Sequence, residues 1–273
     1  MSRVPLFISF LCLSLAGCDS GSGGTVTVTD SAGIQITLSD LQPGIHAEVD
    51  ADPVLSIGGP NAEGPTQFFQ IQGLQVDSRG RFWVADGHSA ELRIFFPDGT
   101  HFRTVGGRGE GPGEFQRIRL LGLFRGDSVA VWDLGLARLT VLDEEGNLAR
   151  TERVVPGETP SIRCSSVFED GSLLGQVPTV LAAESLEPGQ ILGDSVHLVR
   201  FTPRDSAVRS WASGLGPLWL WTGRNQVPLP FTTNAGFGLL GEELHLVSGT
   251  GFRIRVFEAG EVTRIYGIGQ DRR

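Results

Sequence analysis

The chain repeats itself. Aligned against itself, Gly64 meets Gly111, an offset of 111 − 64 = 47 residues. The same offset pairs Glu63 with Glu110, Pro65 with Pro112, Phe68 with Phe115 and Ile71 with Ile118. It runs on without a gap through Leu74/Leu121, Val84/Val131, Asp86/Asp133, Leu92/Leu139, Gly99/Gly146 and Thr104/Thr151. A fixed period of this length implies a structural unit that cannot bury its own apolar faces and must stack on copies of itself.

Each unit reads as four short strands. In the first, "IQGLQV" (71–76), "RFWVA" (81–85), "ELRIFF" (91–96) and "THFRTV" (100–105) are separated by turn signals, including "PDG" at 97–99. The second unit gives "RLLGLF", "SVAVWD", "RLTVL" and "LARTERV". A weaker third unit comprises 161–177 and 196–212 with a long insertion between them, and a fourth spans 235–269. No long segment has helical periodicity. The expected fold is all-β: a β-propeller with blades near 69–107, 116–155, 160–213 and 232–269. A hairpin at 25–38 and an outer strand at 53–59 would form a partial N-terminal blade. Six blades of this period need more residues than the chain has, so an open, C-terminally truncated arc is expected. The alternatives are a smaller ring closed by the N-terminal strands, or two chains completing each other.

The twice-occurring Glu-Gly-Pro…Phe motif falls between the fourth strand of one unit and the first of the next. No helical pattern follows either copy, which argues against a phosphate-binding loop. The motif reads as punctuation between blades, with Phe68 and Phe115 filling the seams.

The N-terminus has the grammar of an export signal: Arg3, an apolar run from Leu6 to Ala16, then small residues before a cysteine. "LAGC" (15–18) resembles the lipobox of bacterial lipoproteins. That resemblance implies a signal at 1–17, lipidation of Cys18, a flexible tether over 18–25 and a propeller domain over 26–273. Once Cys12 leaves and Cys18 carries lipid, only Cys164 remains, so no intrachain disulfide is available. Lysine is absent, which excludes Schiff-base chemistry and a P-loop lysine. The net charge of −9 argues against nucleic acid as a partner.

"GGRGEGPGEF" and "DSRGRFWVADGHSAELRIFFPDGTHFRTVGG" resemble the NHL repeat family. The chain is more closely similar to bacterial six-bladed β-propeller lipoproteins, in "TDSAGIQI", "PVLSIGG" and the Glu-Gly-Pro motif. The resemblance implies a six-bladed propeller at the cell envelope and assigns no chemistry.

Catalytic candidates are sparse. Some six-bladed propellers are metal-dependent hydrolases or lyases, whose ligands would gather on inner strands near the axis. Here the inner strands offer only Asn234. Asp86 and Asp133 recur at one position per blade and read as turn caps. His88 and His101 fall on blade edges, and Cys164 reads as a small core residue. Trp219 and Trp221, with Arg224 beyond, lie in a less repetitive segment (213–231). They would either present aromatics from a binding loop or pack over a blade face. The insertion 177–195 carries Glu184 and Glu187 and would form a flap. The reading is a membrane-anchored, non-catalytic binding or scaffold module for an envelope protein, peptide or glycan. A metal-dependent, lactonase-like hydrolase or lyase is the alternative. No cofactor is expected, and calcium is the ion to test.

Overall fold

The computed structural model describes residues 25–40, 49–153, 162–177, 186–203, 208–229, 235–247 and 253–268. It is a β-propeller built from four successive sheets, antiparallel within each blade. Blade one is β3 (Ile71–Val76), β4 (Phe82–Asp86), β5 (Glu91–Phe95) and β6 (His101–Gly106). Blade two is β7 (Ile118–Phe124), β8 (Ser128–Asp133), β9 (Arg138–Leu142) and β10 (Leu148–Arg153). Blade three is β11 (Arg163–Val167), β12 (Leu173–Val177), β13 (Ile191–Phe201), β14 (Val208–Trp221) and β15 (Gln226–Pro228). Blade four is β16 (Gly236–Leu240), β17 (Glu243–Val247), β18 (Arg253–Glu258) and β19 (Glu261–Ile268). The inner strands β3, β7, β11 and β16 follow one another around the axis.

Period-2 alternation makes each blade two-faced, and each seam is a core. Trp83, Leu92 and Ile94 of blade one bury against Leu121, Val129 and Val131 of blade two. Trp132, Leu139 and Val141 meet Cys164, Leu173 and Phe201 at the next seam. Leu174, Leu198 and Trp211 meet Leu244, Leu246 and Phe257 at the third. Close approach at the axis requires glycine. A β-carbon on Gly73 would stand 2.9 Å from Leu121 Cβ, and one on Gly122 would stand 2.5 Å from Val167 Cγ1.

The Glu-Gly-Pro motif lies between blades as expected, and two polar devices fix it there. The Asp86 carboxylate accepts the backbone N–H groups of Phe69, Gln70 and His88. Asp133 does the same for Gln116, Arg117 and Leu136. A buried arginine then clamps the motif's carbonyls: Arg93 donates to Pro65 O and Gln67 O, and Arg138 to Glu110 O and Glu114 O. Asp86 and Asp133 are therefore caps that latch the seam loop to the head of the inner strand.

Two expectations are corrected. The N-terminal hairpin, β1 (Val26–Ser31) and β2 (Ile34–Ser39), is not part of a separate blade. β2 pairs in parallel with β19, Gln35 opposite Arg264 through Ser39 opposite Ile268, so the hairpin extends blade four to six strands. Residues 53–59 form no strand. Their Leu55 and Ile57 side chains reach the Gly99 turn of blade one, much as Val105 reaches Gly146 in the next unit. The flank of β3 stands open: Ile71, Leu74 and Val76 are exposed, whereas their repeat-mates Ile118 and Leu121 are buried.

Candidate functional site: the axial cleft

The inner strands are not regular. Each of the first three carries a β-bulge near its start, between Ile71 and Gly73, Ile118 and Leu120, and Cys164 and Ser166. A bulge turns one side chain out of the alternation. The bulge residues are Gln72, Arg119 and Ser165, and the Arg119 guanidinium reaches Gln72 Oε1 at 3.4 Å. Sequence reading missed these positions because a bulge leaves no compositional mark beyond one extra residue.

Below the bulges the four inner strands enclose a cleft of about 330 Å³. Its polar lining is Gln75, Ser165, Ser166 and Glu169, set among Leu121, Leu123 and Leu239. Gln75 Nε2 donates to Leu121 O at 3.0 Å, which fixes the carboxamide across the first seam. Ser165 Oγ donates to Leu174 O at 3.2 Å, and Ser166 Oγ to Ser165 O at 2.7 Å. Among the described residues neither serine is bonded to a histidine or a carboxylate, so neither is paired with a general base. The arrangement suits hydroxyl- or amide-bearing ligands, with aliphatic walls for their carbon skeleton.

Among the described residues no three His, Cys, Asp or Glu side chains come together as a metal ion would need. His88 lies in the β4–β5 turn with its ring 5.0 Å from Phe69. His101 lies on β6, its Nε2 2.9 Å from Thr104 Oγ1. Cys164 is buried in the second seam, and burial pushes its thiol far above its ordinary value. Asn234, Glu184 and Cys18 lie outside the described residues.

Trp219, Trp221 and Arg224 do not reach the cleft lining. The segment expected to be a loop is strand: β14 runs unbroken to Trp221, and β15 folds back on it with Trp219 opposite Pro228. Both tryptophans are half-buried and Arg224 is exposed at the turn. Glu187 opens the turn into β13, its N–H bonded to Gln190 Oε1.

No protein-family model matches the chain, and no curated protein matches it. Solved structures similar to it include a member of the DUF4221 family from Bacteroides vulgatus (10% identity, TM-score 0.46, 73% of this chain and 58% of that one). Virginiamycin B lyase from Staphylococcus aureus is also similar (12%, 0.39, 74% and 71%). So is a gluconolactonase from Xanthomonas campestris (14%, 0.37, 72% and 75%).

Proposed function

We propose that the chain is a non-catalytic binding or scaffold module of the bacterial cell envelope, of the six-bladed NHL-like lipoprotein kind, tethered through Cys18. The axial cleft carries this reading. It offers a carboxamide, two hydroxyls and one carboxylate between aliphatic walls, which is an equipment for holding a peptide or glycan. The lipobox-like "LAGC" supports the tether. Several acyl chains on one cysteine would anchor stably where a single chain would not. Among the described residues no helix is long and apolar enough to cross a membrane.

The test is capture from envelope extract by the wild type and by Ser166→Trp, which fills the cleft. The reading expects a defined peptide or glycan to be retained by the wild type and lost by the variant, with both melting alike. Equal retention by both places the binding elsewhere. For the tether, Cys18→Ser should release the protein from membranes or block its maturation; a wild type found wholly soluble contradicts it.

The second reading, a metal-dependent lactonase-like enzyme, draws on Glu169 in the cleft and on Glu242, whose Oε1 accepts the Glu169 N–H at 3.1 Å. Of the two, Glu169 lines the cleft and Glu242 Oε2 pairs with Arg200 at 3.0 Å, and calcium is the ion to test.

A further inference from the structure

The repeat supplies its own control. Residues that hold a seam together recur from one copy to the next, as Asp86 does at Asp133 and Phe68 at Phe115. A charged residue present in one copy and absent from the other is not needed to build a seam. The second copy reads "VGGR" where the first reads "IGGP", so Arg108 stands in the place of Pro60. Arg117 stands in the place of Gln70, and Arg119 in that of Gln72. The change is not one of bulk charge alone, since Glu114 also replaces Gln67.

Two of these arginines line an open pocket of about 450 Å³, with Gly109, Gln116 and Gly135. Arg108 spans the seam: its Nη2 donates to His88 O of blade one at 2.7 Å and its Nη1 to Gln116 O of blade two at 3.4 Å. Both partners are carbonyls, so its charge is not neutralised. Arg117 is exposed, and among the described residues its side chain has no hydrogen bond or ion pair. Elsewhere arginines are matched: Arg79, Arg81, Arg93, Arg200 and Arg264 each pair with a carboxylate.

The turn beside the pocket differs between the copies as well. In blade one the Asp86 carboxylate accepts the N–H of His88, two residues on. In blade two Asp133 accepts that of Leu136, three residues on, and passes over Gly135. The Gly135 N–H has no bonded partner among the described residues. A β-carbon on Gly135 would stand 3.0 Å from Gln116 Cβ, so glycine keeps this side of the pocket clear. Two carboxylates lie close by and are engaged: Glu110 Oε1 accepts from Gln116 Nε2 at 2.8 Å, and Glu114 Oε2 from the Gly111 N–H at 2.8 Å. Their charge disfavours a dianion such as phosphate and leaves room for a monoanion.

We propose that this pocket is a carboxylate-binding site for an acidic glycan: the Arg117 and Arg108 guanidinium groups receive the carboxylate of a uronic acid residue, while Gln116 Oε1 and the Gly135 N–H meet its hydroxyls. The guanidinium fork matches a carboxylate bidentately. None of the five lining residues brings an apolar side chain, so a peptide has nowhere to bury its carbon skeleton, whereas a pyranose presents hydroxyls all round. The pocket shares no residue with the axial cleft and stands without the Cys18 tether.

The test is calorimetric titration of the full chain carrying Cys18→Ser with trigalacturonate and with its methyl ester. In about 0.15 M salt the chain's other charges are screened beyond about 8 Å. The acid should bind, and the ester, the same skeleton without charge, should bind about tenfold or more weakly. Arg117→Gln installs the residue that blade one carries at this position. It should melt like the wild type and weaken the acid by about tenfold. Arg117→Lys, a charge without the fork, should fall between them. Ser166→Trp, in the axial cleft, should leave the affinity unchanged. Failure to bind the acid overturns the inference, as does equal affinity for the ester or full affinity in Arg117→Gln. Loss of binding in Ser166→Trp also overturns it, by moving the ligand to the axial cleft. So does tighter binding of tetraglutamate than of trigalacturonate, because the partner is then an acidic peptide.

Discussion

The Phe115 ring lies against Gly106: a β-carbon built on that glycine would stand 2.7 Å from ring atoms Cδ2 and Cε2. Gly106 closes the outer strand of blade one at φ +92°, and Phe115 ends the seam motif with no exposed surface. Phe115→Ala should cost about 3–5 kcal/mol in urea unfolding. Gly106→Ala should cost about 1–3 kcal/mol from backbone strain alone, with the ring clash added. The double variant should cost less than the sum, because removing the ring removes the clash. Strict additivity, or a Phe115→Ala cost under about 1 kcal/mol, contradicts the seam role.

Acid should loosen the seam latches first. Burial by itself would raise the Asp86 carboxyl, but N–H donors from Phe69, His88 and Gln70, with the Arg93 guanidinium, outweigh it and hold the group below its ordinary value. Asp77 is similar: burial raises it, and the Trp83 indole N–H and Arg81 lower it further than burial lifts it. A depressed carboxylate contributes stability that is complete above the unfolded value of 3.8 and is lost as pH falls through the lower folded value. The urea midpoint should therefore drop steeply below about pH 4. Asp86→Asn should lower the midpoint at pH 7 and flatten that drop. An unchanged slope in the variant would remove Asp86 from the latch.

Cys164 should be chemically silent. Its side chain sits in the second seam beside Leu173 and Phe201, and burial disfavours its thiolate. In a chain carrying Cys12→Ser and Cys18→Ser, a thiol reagent at pH 8 should label nothing in the native state and one thiol after denaturation. Rapid native labelling would mean that the seam opens.

Legibility followed the range of the interactions. The 47-residue offset placed the strands of blades one and two, and the recurrence of Asp86 at Asp133 marked them as caps, because these features repeat locally. The pairing of β2 with β19 joins residues more than two hundred apart in the chain; "IQITL" and "TRIYGI" carry no sign of each other. The length of β14 was hidden by composition. "SGLGPLWLW" looks like loop for its glycines and proline, yet Gly216 sits where a β-carbon would meet the Asp194 backbone carbon at 3.1 Å, so glycine there serves a close strand crossing. Of the bulge positions Gln72, Arg119 and Ser165, which only the register reveals, Ser165 lines the axial cleft.

The measurement that bears most directly on a binding module, as against a metal-dependent enzyme, is thermal unfolding with and without millimolar calcium or zinc. An ion held by the native state raises the melting temperature by mass action. The binding reading predicts no rise for the wild type, and none for Glu169→Gln. A saturable rise with calcium that Glu169→Gln abolishes would contradict it and place a metal site in the axial cleft.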